Sequence, residues 1–404
     1  MKTCATSLLA TLLLWTLAAT AAAGPPPVRP GAPVSAHAMV HTCCTPLELK
    51  ERIFAEAKAM GARFIRVDVE LAGIFGGGSA GPPHWARLDE VFELSRRYEL
   101  PVLGILLSPP TQVSPSDAAE FGHLAGEVAA HARDTVTHWE IVNEPDGAWA
   151  WTTGSPEDYA RILRAAYDAI AARVPEAEVA LGGLMASPHS GWIERVFATP
   201  GADAAHAFDI ASVNVRDAAR RLPGRLAAWR TLLERYGFTG PLWVTEHGYS
   251  GDLTYQNDPA FRGGEAAQAA FLTESVLRLA QAGASEVFVT LRDNLSDRFL
   301  SEGVVAIDGA PPYGARRKPA FAAMRRLVDN WARLAAAHAE RCLHEEASRR
   351  ARRHAVAASR RGNALRTRVR TAARRLAHLR ARHRAAHGPR ARRRLRRQVS
   401  IAGR

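Results

Sequence analysis

Eight short, apolar, β-rich runs recur along the chain, each separated from the next by a longer stretch of helical periodicity. That alternation limits the fold more than any other feature of the sequence. The runs are Ala36–His41, Ala62–Val69, Pro101–Leu107, Val136–Asn143, Glu178–Leu184, Phe208–Val215, Pro241–His247 and Glu286–Arg292. The helical segments between them have legible ends. Thr45-Pro46 opens the first and Gly61 stops it, and Ser116-Asp117 opens another. Ser155-Pro156-Glu157-Asp158 reads as a capped start with acids in its first turn. Gly237 and Gly283 stand where helix C-termini need a left-handed residue. A last helix is expected over Lys318–His338. Strands joined by helical crossovers pair in parallel. Eight such units in roughly 300 residues predict an α/β fold of the (β/α)8 TIM-barrel type. An open doubly wound sheet would want a Gly-rich phosphate turn after its first strand. The chain has His-Thr-Cys-Cys-Thr-Pro there, and the later run Gly76-Gly77-Gly78-Ser79 lacks the lysine of a P-loop.

The ends of the chain differ from its body. Residues 1–23 read as a secretory signal peptide: Lys2, an apolar run from Ser7 to Ala19, and small residues Ala21-Ala22-Ala23 before Gly24. A Pro/Gly linker covers 24–33, the barrel 34–340, and an Arg-rich tail 341–404. The net charge of +13 would suggest a nucleic-acid binder, but it is unevenly spread. The tail holds 22 Arg against two acids, net +20, and the rest carries 31 Lys and Arg against 38 acids, net −7. Ala355, Ala358, Leu365, Val369, Ala372, Leu376 and Leu379 form one narrow apolar stripe, so the tail is expected to be partly helical. With a secretion signal in front, its expected partner is an anionic envelope polymer or lipid surface, and no nucleic acid is expected. The expected location is secreted, with cell-envelope association through the tail. The mature chain keeps Cys43, Cys44 and Cys342, too few for a disulfide scaffold. A bridge from Cys342 to either of the adjacent pair and free thiols both remain open. No metal or cofactor is expected.

In a barrel of this kind, active groups sit at the C-terminal ends of strands. The fourth strand closes with W-E-I-V-N-E-P (Trp139–Pro145) and the seventh with L-W-V-T-E-H-G-Y (Leu242–Tyr249). Each brings one glutamate to the rim, Glu144 and Glu246. Two carboxylates flanking one bond are the minimal machinery for glycoside hydrolysis, one protonated to assist the leaving group and one ionised to attack.

At these residues the sequence resembles the clan A glycoside hydrolases, retaining enzymes on (β/α)8 barrels, over about Val34 to Leu334. The resemblance implies that Glu144 is the acid/base, that Asn143 contacts the sugar 2-hydroxyl, and that Glu246 is the nucleophile. It matches Arg66, in F-I-R-V-D, to the arginine that steadies the nucleophile. An ion pair of Arg66 with Asp68 or Glu70 is the structural alternative. The segment Gly303–Met324 resembles the family's closing loop and last helix. There are departures. Asn214 and Arg216 stand where strand six usually carries a His-x-Tyr pair, and strand eight presents Thr290, Arg292 and Asp293 in place of an aromatic platform. Trp149, Trp151 and Tyr249 are candidate sugar-stacking residues, and Asn214 and Arg292 candidate polar contacts. Glu140 should lie deeper than Glu144, and His247 should point away from the axis. The expected function is a secreted retaining glycosidase acting on an oligo- or polysaccharide. The alternative is an inactive glycan-binding barrel held to an anionic surface by its tail.

Overall fold

The computed structural model describes residues 24–28, 30–76, 82–107, 117–147, 154–185, 187–249, 263–293, 301–308, 314–338, 340–341, 370–371 and 373–382. The chain divides into two units, 1–335 and 336–404. The first contains eight parallel strands: β1 Val34–His41, β2 Ile65–Glu70, β3 Val102–Leu107, β4 His138–Ile141, β5 Glu178–Ala180, β6 Ala211–Asn214, β7 Leu242–His247 and β8 Ala284–Thr290. Their hydrogen-bonded order is β5-β4-β3-β2-β1-β8-β7-β6. The edges β5 and β6 meet through the parallel bridges Ala180–Ile210 and Leu184–Val213, which bring the sheet round into a barrel.

Helices cover the outside: α1 Leu47–Met60, α2 Leu71–Phe75, α3 Ala86–Tyr98, α4 Ala118–Ala132, α5 Pro156–Arg173, α6 Trp192–Phe197, α7 Leu222–Arg235, α8 Gly264–Gln281 and α9 Pro319–Asp329. Each buries one stripe at three- to four-residue spacing, as Ile53, Phe54, Ala57 and Met60 do on α1. Burying one large aliphatic side chain of this kind stabilises the fold by about 1.5–3 kcal/mol. The helix punctuation is as the sequence announced. Ser155 and Asp158 form a reciprocal capping box, and Gly61, Gly237 and Gly283 take φ values of 89°, 84° and 96°.

A second apolar cluster draws one residue from each of several strands or their approaches: Phe64, Leu103, Ala180, Ile210, Trp243 and Phe288. Residues from so many strands can meet only inside the barrel. There Phe64 and Trp243 lie 5.1 Å apart between ring centroids, and Trp243 and Phe288 5.8 Å. These side chains pack the N-terminal half of the barrel, where the buried Glu286 is paired with Ser35 and Arg63.

Several boundaries differ from expectation. The fourth strand stops at Ile141 because Val142 takes φ 64°, and the fifth stops at Ala180. An antiparallel hairpin, β9 Val305–Asp308 with β10 Gly314–Arg317, intervenes between β8 and α9. The last helix breaks at Asn330 and resumes over 331–338. Cys43 and Cys44 are bonded to each other, in the loop after β1, which corrects the expectation of a bridge to Cys342 or of free thiols at these positions. Cys342 and the expected signal peptide lie outside the described residues. In the second unit the described residues 373–382 are helical, with Leu376 and Leu379 more than half exposed. No helix among the described residues is long and apolar enough to cross a membrane.

Candidate active site

Five strands, β1, β2, β4, β6 and β7, bring polar groups to one place. Arg66 of β2 is entirely buried and forms the hub. Its Nη2 donates to Glu140 Oε1 at 2.6 Å and to Asn143 Oδ1 at 2.8 Å, and its Nε donates to Glu140 Oε2 at 3.2 Å. Its Nη1 donates to Glu246 Oε1 at 2.9 Å and lies 3.0 Å from His37 Nδ1. The alternative pairing with Asp68 or Glu70 is not the one adopted. Glu70 instead accepts from Thr42 and from the Cys43 N–H, with His41 Nδ1 2.8 Å away. Because Arg66 has no proton acceptor, His37 Nδ1 must accept, which leaves the proton on Nε2, 3.8 Å from Glu246 Oε1.

Glu144 has a different neighbour. Asn214 of β6 donates through Nδ2 to Glu144 Oε1 at 2.7 Å, and its Oδ1 accepts from Thr245 at 3.0 Å. Gly183 lies against this pair: a Cβ there would sit 2.6 Å from Asn214 Oδ1 and 2.9 Å from Thr245 Oγ1. Its N–H also donates to Glu140 Oε1 at 3.0 Å. Arg216, just past β6, donates through Nη2 to the other oxygen of Glu246 at 3.2 Å and through Nε to Glu302 at 3.0 Å.

Regular strands would not aim these groups. Alternation from the inward Trp243 would turn His247 in and Glu246 out. The pairing of β7 with β8 slips between Val244 and His247, and so Glu246 turns inward. His247 points out, with its Nε2 2.7 Å from Ser275 Oγ of α8. At the end of β4, Val142 and Glu144 both take left-handed φ, 64° and 47°. For residues with a Cβ this costs about 1–3 kcal/mol each. It is held in place by Tyr159 of α5, whose hydroxyl donates to Ile141 O at 3.1 Å and accepts from Gly182 N–H at 2.7 Å. Bulges and strained residues of this sort re-aim side chains at strand ends.

The environments separate the two glutamates. Burial, reinforced by the charge of Glu246, pushes Glu144 up to about 7. Burial acts in the same sense on Glu246, but its neighbours His37, Arg66 and Arg216 outweigh it and hold its carboxyl well below the usual range. Burial pushes His37 itself down to about 3, so at neutral pH the ring is uncharged and the two guanidiniums carry the effect. Glu140, also buried, has its pKa raised despite its pairing with Arg66.

Of the residues singled out in the sequence, Asn143, Glu144, Arg66, Asn214 and Glu246 converge. Tyr249 does not join them: it is buried against Phe271 of α8 at 4.7 Å between centroids. Arg292 is buried beside α1, with Glu56 Oε2 3.8 Å away. Trp149 and Trp151 lie outside the described residues. Sequence reasoning overlooked His37 and Glu302. The first sits within an ordinary strand, and the second follows β8 with no motif to mark it.

No protein-family model and no curated protein matches the sequence. Solved structures that the chain resembles include glycoside hydrolases and glucosidases. A family 39 glycoside hydrolase from Bacteroides cellulosilyticus has a TM-score of 0.57 at 14% identity, over 72% of this chain and 63% of that one. A glucosidase from Croceicoccus marinus has a TM-score of 0.58 at 18% identity, over 76% and 69%. A β-glucosidase from Thermotoga maritima has a TM-score of 0.56 at 13% identity, over 70% and 86%. The chain therefore spans a little under two thirds of the family 39 enzyme. At these identities the likeness is one of fold, and the resemblance seen in the motifs holds at that level.

Proposed function

We propose that the protein is a secreted retaining glycoside hydrolase acting on an oligo- or polysaccharide. The observation that carries the proposal is the opposed setting of two glutamates at one barrel mouth, Glu144 raised and Glu246 lowered. Glu246, ionised, attacks the anomeric carbon while Glu144 gives its proton to the departing glycosidic oxygen, leaving a glycosyl ester on Glu246. Glu144, now ionised, takes a proton from water, the resulting hydroxide displaces Glu246, and the configuration is retained. Asn214 keeps Glu144 oriented in both steps, and Asn143, held by Arg66, faces the same space. The replaced strand-six residues argue for a working site over an inactive one, since Asn214 and Arg216 each engage one of the two glutamates. The name of the Thermotoga maritima relative supports β-glucosides as first substrates to try.

The test is hydrolysis of a panel of aryl glycosides, with the anomer of the first product read by NMR. A retained anomer, loss of turnover in Glu246→Gln with its fold intact, and a mass increase on Glu246 with a 2-deoxy-2-fluoro glycoside are expected. An inverted product would overturn the mechanism.

A further inference from the structure

Glu302 is a fourth buried carboxylate at the barrel mouth, and the steps above do not use it. It follows β8, and both of its oxygens accept from Arg216 Nε at 3.0 Å. Its position is fixed from several sides. Gln268 of α8 donates through Nε2 to the carbonyls of Tyr249, Ser301, Glu302 and Gly303 at 2.9–3.2 Å. Lys318 donates to Ser301 O at 2.9 Å while paired with Asp293 at 2.7 Å. Gly303 rests on the backbone of residues 292–293, where a Cβ would come within 2.7 Å of Arg292 Cα. Gly248, two residues past Glu246, leaves room for the carboxylate: a Cβ there would overlap Glu302, 2.8 Å from its Cδ.

The result is a matched pair of devices on Glu246. One oxygen receives Arg66, backed by Glu140, and the other receives Arg216, backed by Glu302. The two arginines differ in one respect. The Arg66 side chain has no exposed surface, whereas that of Arg216 is 20% exposed. Arg66 is confined by burial. Arg216 has water as a competitor and a long, flexible side chain, so it stays on Glu246 only if something else holds it.

We infer that Glu302 is a positioning residue that tethers Arg216 across the second oxygen of Glu246, fixing both the rotamer and the charge of that carboxylate. The inference rests on Glu246 being the nucleophile. Its consequence for the fold is that the 301–303 segment, together with Gln268, Lys318, Gly248 and Gly303, forms the mount for this tether.

The test is a side-chain carboxyl NMR titration of Glu246 in the wild type, Glu302→Ala and Gly248→Ala. The first variant removes the tether. The second keeps every charge and displaces the carboxylate, and it serves if the first does not fold. Without its tether Arg216 swings toward water, so Glu246 should titrate about one pH unit or more higher in both variants. On an aryl glycoside kcat should fall about 10- to 100-fold, with KM changing much less. In an Arg216→Gln background Glu302→Ala should cost nothing further. An unchanged or lowered titration of Glu246 in the folded variants, or a full additional loss in the Arg216→Gln background, would overturn the inference. The titration needs no turnover, so a wild type inactive on every glycoside would refute the proposed activity while leaving the tether decided on its own evidence.

Discussion

Replacing Arg66 with Met tests the electrostatic hub most directly, because one guanidinium holds Glu140, Glu246, Asn143 and His37 at once. Met keeps much of the side chain's bulk and removes the charge and every donor. Among the described residues Glu140 then has no cation within reach and keeps the Gly183 N–H. Breaking a fully buried pair by deleting one partner costs about 3–5 kcal/mol. The cost depends on pH in a definite sense. The Glu140 pKa is already raised in the folded protein, and the substitution raises it further above its unfolded value of about 4.3. Between the unfolded and the folded pKa the unfolded state has given up that proton while the folded state still holds it, so stability is lost as pH rises through this window and levels off above the folded value. Below the unfolded value Glu140 is protonated in both states and its contribution vanishes. Glu246 behaves in the opposite way. Its depressed folded pKa gives stability above its unfolded value, and the substitution removes part of that contribution. Only the Glu140 change varies across the interval from pH 5 to pH 7.5, where it makes the variant relatively weaker at the higher pH; the Glu246 contribution is the same at both ends. Melting temperatures of wild type and variant, measured across that interval, should therefore diverge as pH rises. With turnover, the acid limb of kcat/KM should move upward, because Glu246 retains only Arg216 as a cation. A constant difference in melting temperature together with an unmoved acid limb would refute the reasoning.

Other outcomes follow from the same geometry. The alkaline limb of kcat/KM should fall near pH 7, where Glu144 loses its proton, and Glu144→Gln should lose that limb on a dinitrophenyl glycoside whose leaving group needs no acid. Gly183→Ala should destabilise the protein by about 1–3 kcal/mol and lower kcat, since the new methyl displaces Asn214 from Glu144; unchanged kinetics would show that Asn214 does not orient the acid. A chain ending at Cys342 should keep its activity on small soluble substrates and lose salt-sensitive co-sedimentation with cell envelopes, because the 21 arginines it lacks act on an anionic surface over a screening length of about 10 Å at 0.1 M salt. Equal pelleting of the two forms would remove the anchoring role.

The sequence by itself determined the repeating plan and the candidate residues at the barrel mouth. Apolar β-rich runs and helical stripes are local patterns, and caps such as Ser155 and Asp158 or the left-handed Gly237 and Gly283 act within a few residues of themselves. Glu144, Glu246 and Asn143 were legible because strand ends of a parallel barrel converge wherever the chain places them, and Arg66, the second residue of β2, through the F-I-R-V-D resemblance. Only the tertiary structure decided how those ends are turned. The slip in β7 that aims Glu246 inward and the left-handed Val142 and Glu144 depend on neighbouring strands and on Tyr159, not on a local signal. The network itself spans 180 residues from Arg66 to Glu246 and 86 from Arg216 to Glu302, so no window of sequence contains it. For the same reason Tyr249 and Arg292, sensible sugar contacts by strand position, were drawn instead to Phe271 and Glu56 on helices packed outside the barrel. Residue types near a strand end announce the chemistry on offer, but twist, bulge and long-range pairing decide which of them face one another.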